Sequence, residues 1–296
     1  MARTGLQIWQ FNVDYGQGNI NEDDTQIPMS FAFVKTNWST NWMRTVDPAP
    51  SCESLDGAVR LRDTYYAQNI GFIPWGEARG ADKAYAEGLM CGQIAAKLML
   101  PYMLNLEDGP GFWQAAPGAP QEFLRGFRDG GGGELWLEVD SRSGHVAGTQ
   151  LRDWIADPIV TRYWPEPYWR DFYPNSPGIE RVGWAINDST APLLALGVPK
   201  DRITCVLPGD VPANEMQEAI RVLRESQFNG LMIYRRGTVR QEVLDYIDSL
   251  QQEDWPGYAP PPQPEPTLED LLTATRAYLG AAAATLDAAT AKASQK

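Results

Sequence analysis

Short, bulky, apolar runs alternate with helical stretches along most of this chain, and that rhythm restricts its fold more than any other feature. The candidate strands are residues 6–13, 31–36, 70–75, 101–106, 135–139, 182–186, 203–207 and 230–234. Each is short and often β-branched, the pattern of a strand covered on both faces. Helical spacing of apolar residues predicts helices at 55–68, capped by Ser54, and at 82–98 and 120–128. Two more are predicted at 214–226, capped by Asn214, and at 239–250. Eight strands with interleaved helices over about 250 residues match one (β/α)8 barrel, so the expected fold class is α/β with a single barrel. A doubly wound sheet is the competitor, but no Gly-x-Gly-x-x-Gly follows the first strand.

Two regions break the rhythm. Residues 140–179 are long and aromatic, with Trp154, Tyr163, Trp164, Tyr168, Trp169, Phe172 and Tyr173, and read as a broken helix and loop beside the barrel mouth. Residues 256–267, Pro-Gly-Tyr-Ala-Pro-Pro-Pro-Gln-Pro-Glu-Pro-Thr, read as a polyproline-type spacer. Beyond it, 268–296 is Ala-rich, with Leu268, Leu272, Thr275, Leu279, Ala282 and Leu286 on one helical side. The expected organisation is a barrel over 1–255, a linker over 256–267 and a C-terminal helix over 268–296. A lone helix after such a linker needs something to pack on: the barrel, another copy or a larger assembly.

Composition excludes several functions. Lys plus Arg number 25 against 38 Asp plus Glu, for a net charge of −13 over 296 residues. Gripping a nucleic-acid backbone requires a basic stripe, so no nucleic-acid partner is expected. No apolar run reaches the roughly 18 residues of a membrane helix, and no membrane role is expected. The N-terminal Met1-Ala-Arg-Thr-Gly-Leu-Gln-Ile-Trp enters a strand-like segment without a signal-peptide core. Cytoplasmic synthesis is therefore expected, with virion association or release by lysis as routes outward. Three scattered cysteines, Cys52, Cys91 and Cys205, suggest neither a disulfide framework nor a thiolate metal site. The single histidine, His145, reads as a loop residue after a strand. A Ser-His-Asp triad lacks its Gly-x-Ser-x-Gly elbow. No metal or cofactor is expected, because the acids show no spaced ligand loop.

In a (β/α)8 barrel the functional side chains project from the C-terminal strand ends. Those ends carry Asn12 and Asp14; Lys35 and Asn37; Trp75 and Glu77; and Asn105, Glu107 and Asp108. They continue with Glu138, Asp140 and Arg142; Asn187 and Asp188; Asp210; and Tyr234, Arg235 and Arg236. Asp140 and Asp210 best suit ordinary helix caps. Carboxylates converging with Trp and Tyr suit glycosidic chemistry, in which one carboxylic acid protonates the leaving oxygen and a second carboxylate acts as base or nucleophile. Eleven tryptophans supply faces on which sugar rings stack, although a large barrel also buries Trp as core.

The segment Phe11-Asn-Val-Asp-Tyr-Gly-Gln-Gly-Asn-Ile resembles the first-strand motif of family 25 glycoside hydrolases, the lysozyme-type muramidases. Phe31-Ala-Phe-Val-Lys-Thr is similar to their second strand, and Tyr102-Met-Leu-Asn-Leu-Glu to their fourth, which usually ends Asp-x-Glu. The matches are short and span roughly 5–250; a broader group of phage- or prophage-encoded glycosidase-like barrels shares the layout. The resemblance implies Asp14 as the first-strand acid and Glu107 as proton donor. Asn105 stands where the family has Asp, and an amide cannot serve as nucleophile or base. The remaining acid has no secure match; Asp188 is the candidate because it closes the predicted sixth strand.

The expected function is thus a glycoside hydrolase-like barrel acting on peptidoglycan or a related polysaccharide. Glu107, Asp14 and Asp188 are the catalytic candidates, and Asn105, Lys35, Trp75, Glu77, Tyr234 and Arg235 the substrate-binding ones. The alternative is a glycan-binding or structural component of a phage tail or virion-type assembly, built through the C-terminal helix. A small-metabolite enzyme is disfavoured: no phosphate-binding glycine loop follows the seventh or eighth strand, and Gly130 to Gly133 form a turn before the fifth.

Overall fold

The computed structural model describes residues 4–8, 31–43, 52–176, 178–228, 230–234 and 238–250, of which 4–8 only as backbone. The strands are β1 (Thr4–Ile8), β2 (Phe31–Trp38), β3 (Asn41–Trp42), β4 (Gly71–Glu77) and β5 (Tyr102–Leu106). They continue as β6 (Leu135–Val139), β7 (Val160–Pro165), β8 (Cys205–Pro208) and β9 (Leu231–Tyr234). The helices are α1 (Leu55–Tyr66), α2 (Ala84–Leu98), α3 (Ala119–Asp129) and α4 (Leu151–Ile155), then α5 (Trp169–Phe172), α6 (Glu180–Ala195), α7 (Ala213–Ser226) and α8 (Gln241–Leu250).

Apart from β3, which folds back antiparallel on β2, every strand pairing is parallel, in the order β7-β6-β5-β4-β2-β1-β9-β8. A parallel bridge between Tyr163 and Ile203 joins the two ends of that path, with Thr204 N donating to Tyr163 O at 2.9 Å. Parallel neighbours need crossover connections; α1, α2, α3, α6 and α7 lie in five of them, and the short α4 in the one from β6 to β7.

Two-residue periodicity divides the core into two layers. Phe33, Ile73, Trp75, Met103, Trp136, Trp164, Val206 and Met232 form an inner cluster enclosed by the strands. Their chain neighbours, among them Val34, Phe72, Leu104, Leu137, Leu207 and Ile233, face outward and pack under the helices. Both faces are thereby dry, which is why the strands read as continuous apolar runs.

Helices α2 and α3 meet with almost no side chain between them. A Cβ added at Gly92 would lie 2.1 Å from Phe127 O, and one added at Gly88 would lie 2.0 Å from Phe123 O. Glycine at these positions permits the backbones to touch. Ser54 caps α1 as expected, its Oγ accepting from Gly57 N at 3.0 Å. The expected Asn214 cap does not form; Pro212 precedes α7 and no side chain caps it.

The sixth strand is corrected. Residues 182–186 belong to helix α6, whose buried Val182, Ala185, Ile186, Ser189, Thr190 and Leu193 recur at helical spacing. The strand in that place is β7, inside the segment expected to be irregular and flanked there by the short helices α4 and α5. The linker and helix expected at 256–267 and 268–296 lie outside the described residues. Among the described residues no helix is long and apolar enough to cross a membrane.

Candidate active site

Strand register aligns the site residues. Glu77 pairs with Asn105, Asn105 with Glu138, and Glu138 with Trp164, so four adjacent strands contribute one inward-facing row. One row below lie Trp75, Met103 and Trp136, which belong to the inner apolar cluster. Two residues beyond the polar row, the chain continues into Glu107, Asp140 and Glu166. The barrel mouth therefore holds Glu77, Glu107, Glu138, Asp140 and Glu166 above an aromatic floor. Asp140 is not a helix cap, as its position after the strand suggested.

Lys35 is one of two cations paired with these acids. It pairs in register with Trp75, one row down, and its buried ammonium reaches up to an ion pair with Glu77. Burial lowers the Lys35 pKa, partly offset by Glu77, Glu138 and Glu107. Arg142 holds Asp140 through two bonds, Nε to Oδ1 at 2.9 Å and Nη2 to Oδ2 at 2.6 Å. His145 leans on the same group, with Nε2 3.6 Å from Asp140 Oδ2 and Nδ1 3.8 Å from Asp108 Oδ2.

Glu107 carries the most informative perturbation. Burial pushes its carboxyl up to about 7; the charges of Glu77 and Asp140 add to that, while the Asn105 amide and Lys35 oppose it. Asn105 Nδ2 donates to Glu107 Oε1 at 3.0 Å. Glu166, buried to 3% exposure, is held well above the usual carboxylate range by burial and then by Glu107, Glu138, Asp140 and Glu77. A site in which the acids raise one another keeps protons near neutral pH, as acid catalysis requires.

Aromatic groups lie below and beside the acids. Trp136 of the floor stacks on Trp164 at 5.7 Å, and Tyr168 lies 5.7 Å from Tyr234. Among the described residues the buried Glu77 Oε2, Asn105 Oδ1 and Trp164 Nε1 have no hydrogen-bond partner. Buried polar atoms are normally satisfied, so these mark where polar ligand groups or water belong.

The sequence-derived candidates divide accordingly. Glu107, Asn105, Lys35, Glu77 and Tyr234 come together at the mouth. Trp75 is placed lower than expected: it is 1% exposed, donates from Nε1 to Phe33 O at 3.1 Å and forms the floor under Lys35. Asp188 is not a strand end. It lies within α6, where its Oδ2 accepts from Tyr173 OH at 3.1 Å, and the reason for assigning it a catalytic role disappears with the sixth strand. Asn187 sits on the same helix. Asn37 faces outward and binds the Tyr102 hydroxyl at 2.5 Å. Asp14, Arg235 and Arg236 lie outside the described residues. Sequence reasoning missed Glu166 and named Trp164 and Tyr168 only within the aromatic stretch beside the mouth; Trp164 and Glu166 share a face in the run Val160-Thr-Arg-Tyr-Trp-Pro-Glu, a signal that could have found the acid.

No known protein family matches the chain by sequence, and neither does any curated protein. Solved structures do resemble it. A class V chitinase from Pseudomonas fluorescens aligns with a TM-score of 0.57 at 8% identity, over 84% of this chain and 99% of that one. A chitinase from Chromobacterium violaceum aligns with a TM-score of 0.54 at 13% identity, over 85% of this chain and 100% of that one. A family 5 cellulase of Bacteroidetes affiliation gives a TM-score of 0.53 at 12% identity, over 86% of this chain and 92% of that one. The chain has the fold of these (β/α)8 barrels. At such identities the likeness concerns fold alone.

Proposed function

We propose that this chain is a glycoside hydrolase-like barrel acting on peptidoglycan or a related polysaccharide, with Glu107 as the general acid. The observation that carries the reading is the Glu107 carboxyl, raised by burial to about 7 beside Asn105 and facing other acids in a barrel mouth. A carboxyl in that range holds a proton at neutral pH and releases it to a leaving oxygen without a large penalty. Asp140 is the second carboxylate among the described residues, its two oxygens positioned by Arg142. The acid that the sequence suggests at Asp14 would join it from the first strand. Lys35, Glu77, Asn105 and Tyr234 line the path of the sugar. Similar structures that are named as chitinases and a cellulase support glycosidic chemistry on this fold. The muramidase-like specificity rests on the motif resemblance at 11–20, 31–36 and 102–107.

The test is reducing-sugar release from peptidoglycan and a panel of polysaccharides, with Glu107→Gln and Asp140→Asn alongside. Release by the wild type, lost in Glu107→Gln with folding intact, is expected. Undiminished release by Glu107→Gln would remove the assignment.

A second reading rests on Asn105, an amide between Glu77 and Glu138 in the inner row. It makes the barrel a glycan-binding module of a phage-type particle, associating through the C-terminal segment. Glycan binding without release, together with particle association, would favour it.

A further inference from the structure

A cavity of about 310 Å³ opens beside the barrel mouth, lined by Trp38, Ser39, Asn41, Arg79 and Lys83. None of these residues belongs to the carboxylate cluster, yet the two places share a wall. In β2 the register slips between Lys35 and Asn37, so Trp38, not Asn37, comes level with Glu77. A bulge of this kind adds one residue and re-aims the side chains after it. Lys35, Asn37 and Trp38 would otherwise alternate with Lys35 and Asn37 on one face; the bulge turns Asn37 outward to Tyr102. The Trp38 ring lies 4.7 Å from Lys35 Nζ and 5.1 Å from the Arg79 guanidinium carbon.

The cavity is pre-organised. Ser39 holds a positive φ of 55°, a conformation that a non-glycine residue keeps only when surrounding bonds enforce it. Ser39 N donates to Glu77 O at 2.8 Å, Asn37 Nδ2 donates to Ser39 O at 2.9 Å, and Ser39 Oγ donates to Glu87. Arg79 is fixed by its backbone, with N donating to Glu87 Oε1 at 2.8 Å and O accepting from Gln114 N at 2.8 Å. The Glu87 carboxylate is spent on that backbone and on Ser39.

The chain has 38 acidic and 25 basic residues, and several cations pair with a nearby acid, as Arg142 does with Asp140 and Arg181 with Glu215. Among the described residues Arg79 and Lys83 form no ion pair, which holds also for the exposed Arg152, Lys200 and Arg202; these two differ in lining one cavity with an indole. A guanidinium fork matches a carboxylate in two parallel bonds, and an indole face packs on the C–H face of a pyranose. The cavity volume is at the lower end of ligand sites.

We infer that this cavity is a subsite for a carboxylate-bearing sugar, with Arg79 and Lys83 binding the acid and Trp38 supporting the ring. The inference rests on the glycan reading of the barrel and deepens it: the preferred polymer is anionic, unlike chitin or cellulose. The carboxylate belongs either to a hexuronate ring or to a lactyl ether, and the assay separates the two.

Calorimetric titration of the full chain, as wild type and as Glu107→Gln, compares two matched pairs. One is a hexuronate-containing tetrasaccharide with its carboxyl-reduced counterpart. The other is an N-acetylglucosaminyl-N-acetylmuramic acid disaccharide with its carboxyl-reduced counterpart. The expected result is tighter binding of the acidic member in one pair by about tenfold or more, the scale of one charge-assisted bond. That preference disappears in Arg79→Gln and in Lys83→Gln, weakens with salt, and is partly restored by Arg79→Lys. Lys83 is exposed, so its variant keeps the fold, which thermal unfolding verifies. Equal binding within both pairs, no binding at all, or an acid preference untouched by both variants overturns the inference. The two proposals fail separately: acid-selective binding without turnover removes only the hydrolase reading, and turnover without acid selectivity removes only the subsite.

Discussion

Asn105 Nδ2 donates to Glu107 Oε1 at 3.0 Å, an amide that lowers the carboxyl, which burial and neighbouring acids nevertheless raise to about 7. The bond favours the ionised form of Glu107, and it is outweighed. That balance makes the pair the most direct place to perturb the site.

Replacing Asn105 by Asp exchanges a donor for a further acid. The Glu107 carboxyl then loses a bond that lowers its pKa and gains a like charge, so it titrates above 7. On the hydrolase reading, the alkaline limb of the pH–rate profile moves upward by about one unit. An unchanged limb would mean that Glu107 is not the group titrating in catalysis.

Glu107→Gln should reduce turnover by about 10²–10⁴-fold, the usual contribution of a general acid. It should also alter the pH dependence of stability. A carboxyl near 4.5 when unfolded and about 7 when folded binds more protons in the native state, so stability is highest below pH 4.5 and falls as pH rises through 7. The variant removes that fall and gains about 1–3 kcal/mol over the wild type between pH 5 and pH 8. Chemical denaturation at the two pH values measures the difference.

Glu215 sits in the opposite regime. Burial pushes its carboxyl up, but bonds from Arg170, Trp169 and Arg181 outweigh burial and carry it down to about 2. Trp169 Nε1 donates at 2.7 Å and Arg181 Nη2 at 2.7 Å, so Glu215 ties α7 to α5 and α6. A depressed carboxyl stabilises above its unfolded pKa, and that stability is lost as pH falls from about 4.5 through 2. Glu215→Gln should cost about 2–4 kcal/mol at pH 7, because two arginines lose their partner. The deficit should shrink in acid; a pH-independent deficit would indicate packing instead.

Gly92→Ala places a Cβ 2.1 Å from Phe127 O, a contact that only a shift of α2 against α3 relieves. A loss of about 1–3 kcal/mol or more is expected from overpacking, with a matching fall in melting temperature. Gly133→Ala, where an added Cβ meets nothing within 4 Å, is the control for altered backbone entropy.

Much of the barrel could be read from local chemistry alone. Buried parallel strands must be apolar on both faces, and seven of the eight expected runs coincide with or overlap barrel strands; helices at 55–66, 84–98, 119–129, 213–226 and 241–250 follow their apolar stripes. Glu107, Asn105, Glu77 and Lys35 were legible as strand ends because the fold class dictates which ends carry function. The exchange of 182–186 for 160–165 was not legible: a short apolar run is compatible with helix or strand until its neighbours choose, and Thr161, Arg162 and Pro165 blur the strand signal in β7. Misplacing that strand sent the assignment to Asp188 and hid Glu166. Register and burial also lay beyond local reading. A one-residue bulge at Thr36 decides that Trp38 stands level with Glu77, and hydrogen bonding between strands sets that bulge. Likewise, the Glu107 carboxyl is raised first by burial and then by Glu77 of β4 and Asp140 just beyond β6, and desolvation and like-charge repulsion exist only once the chain has closed on itself.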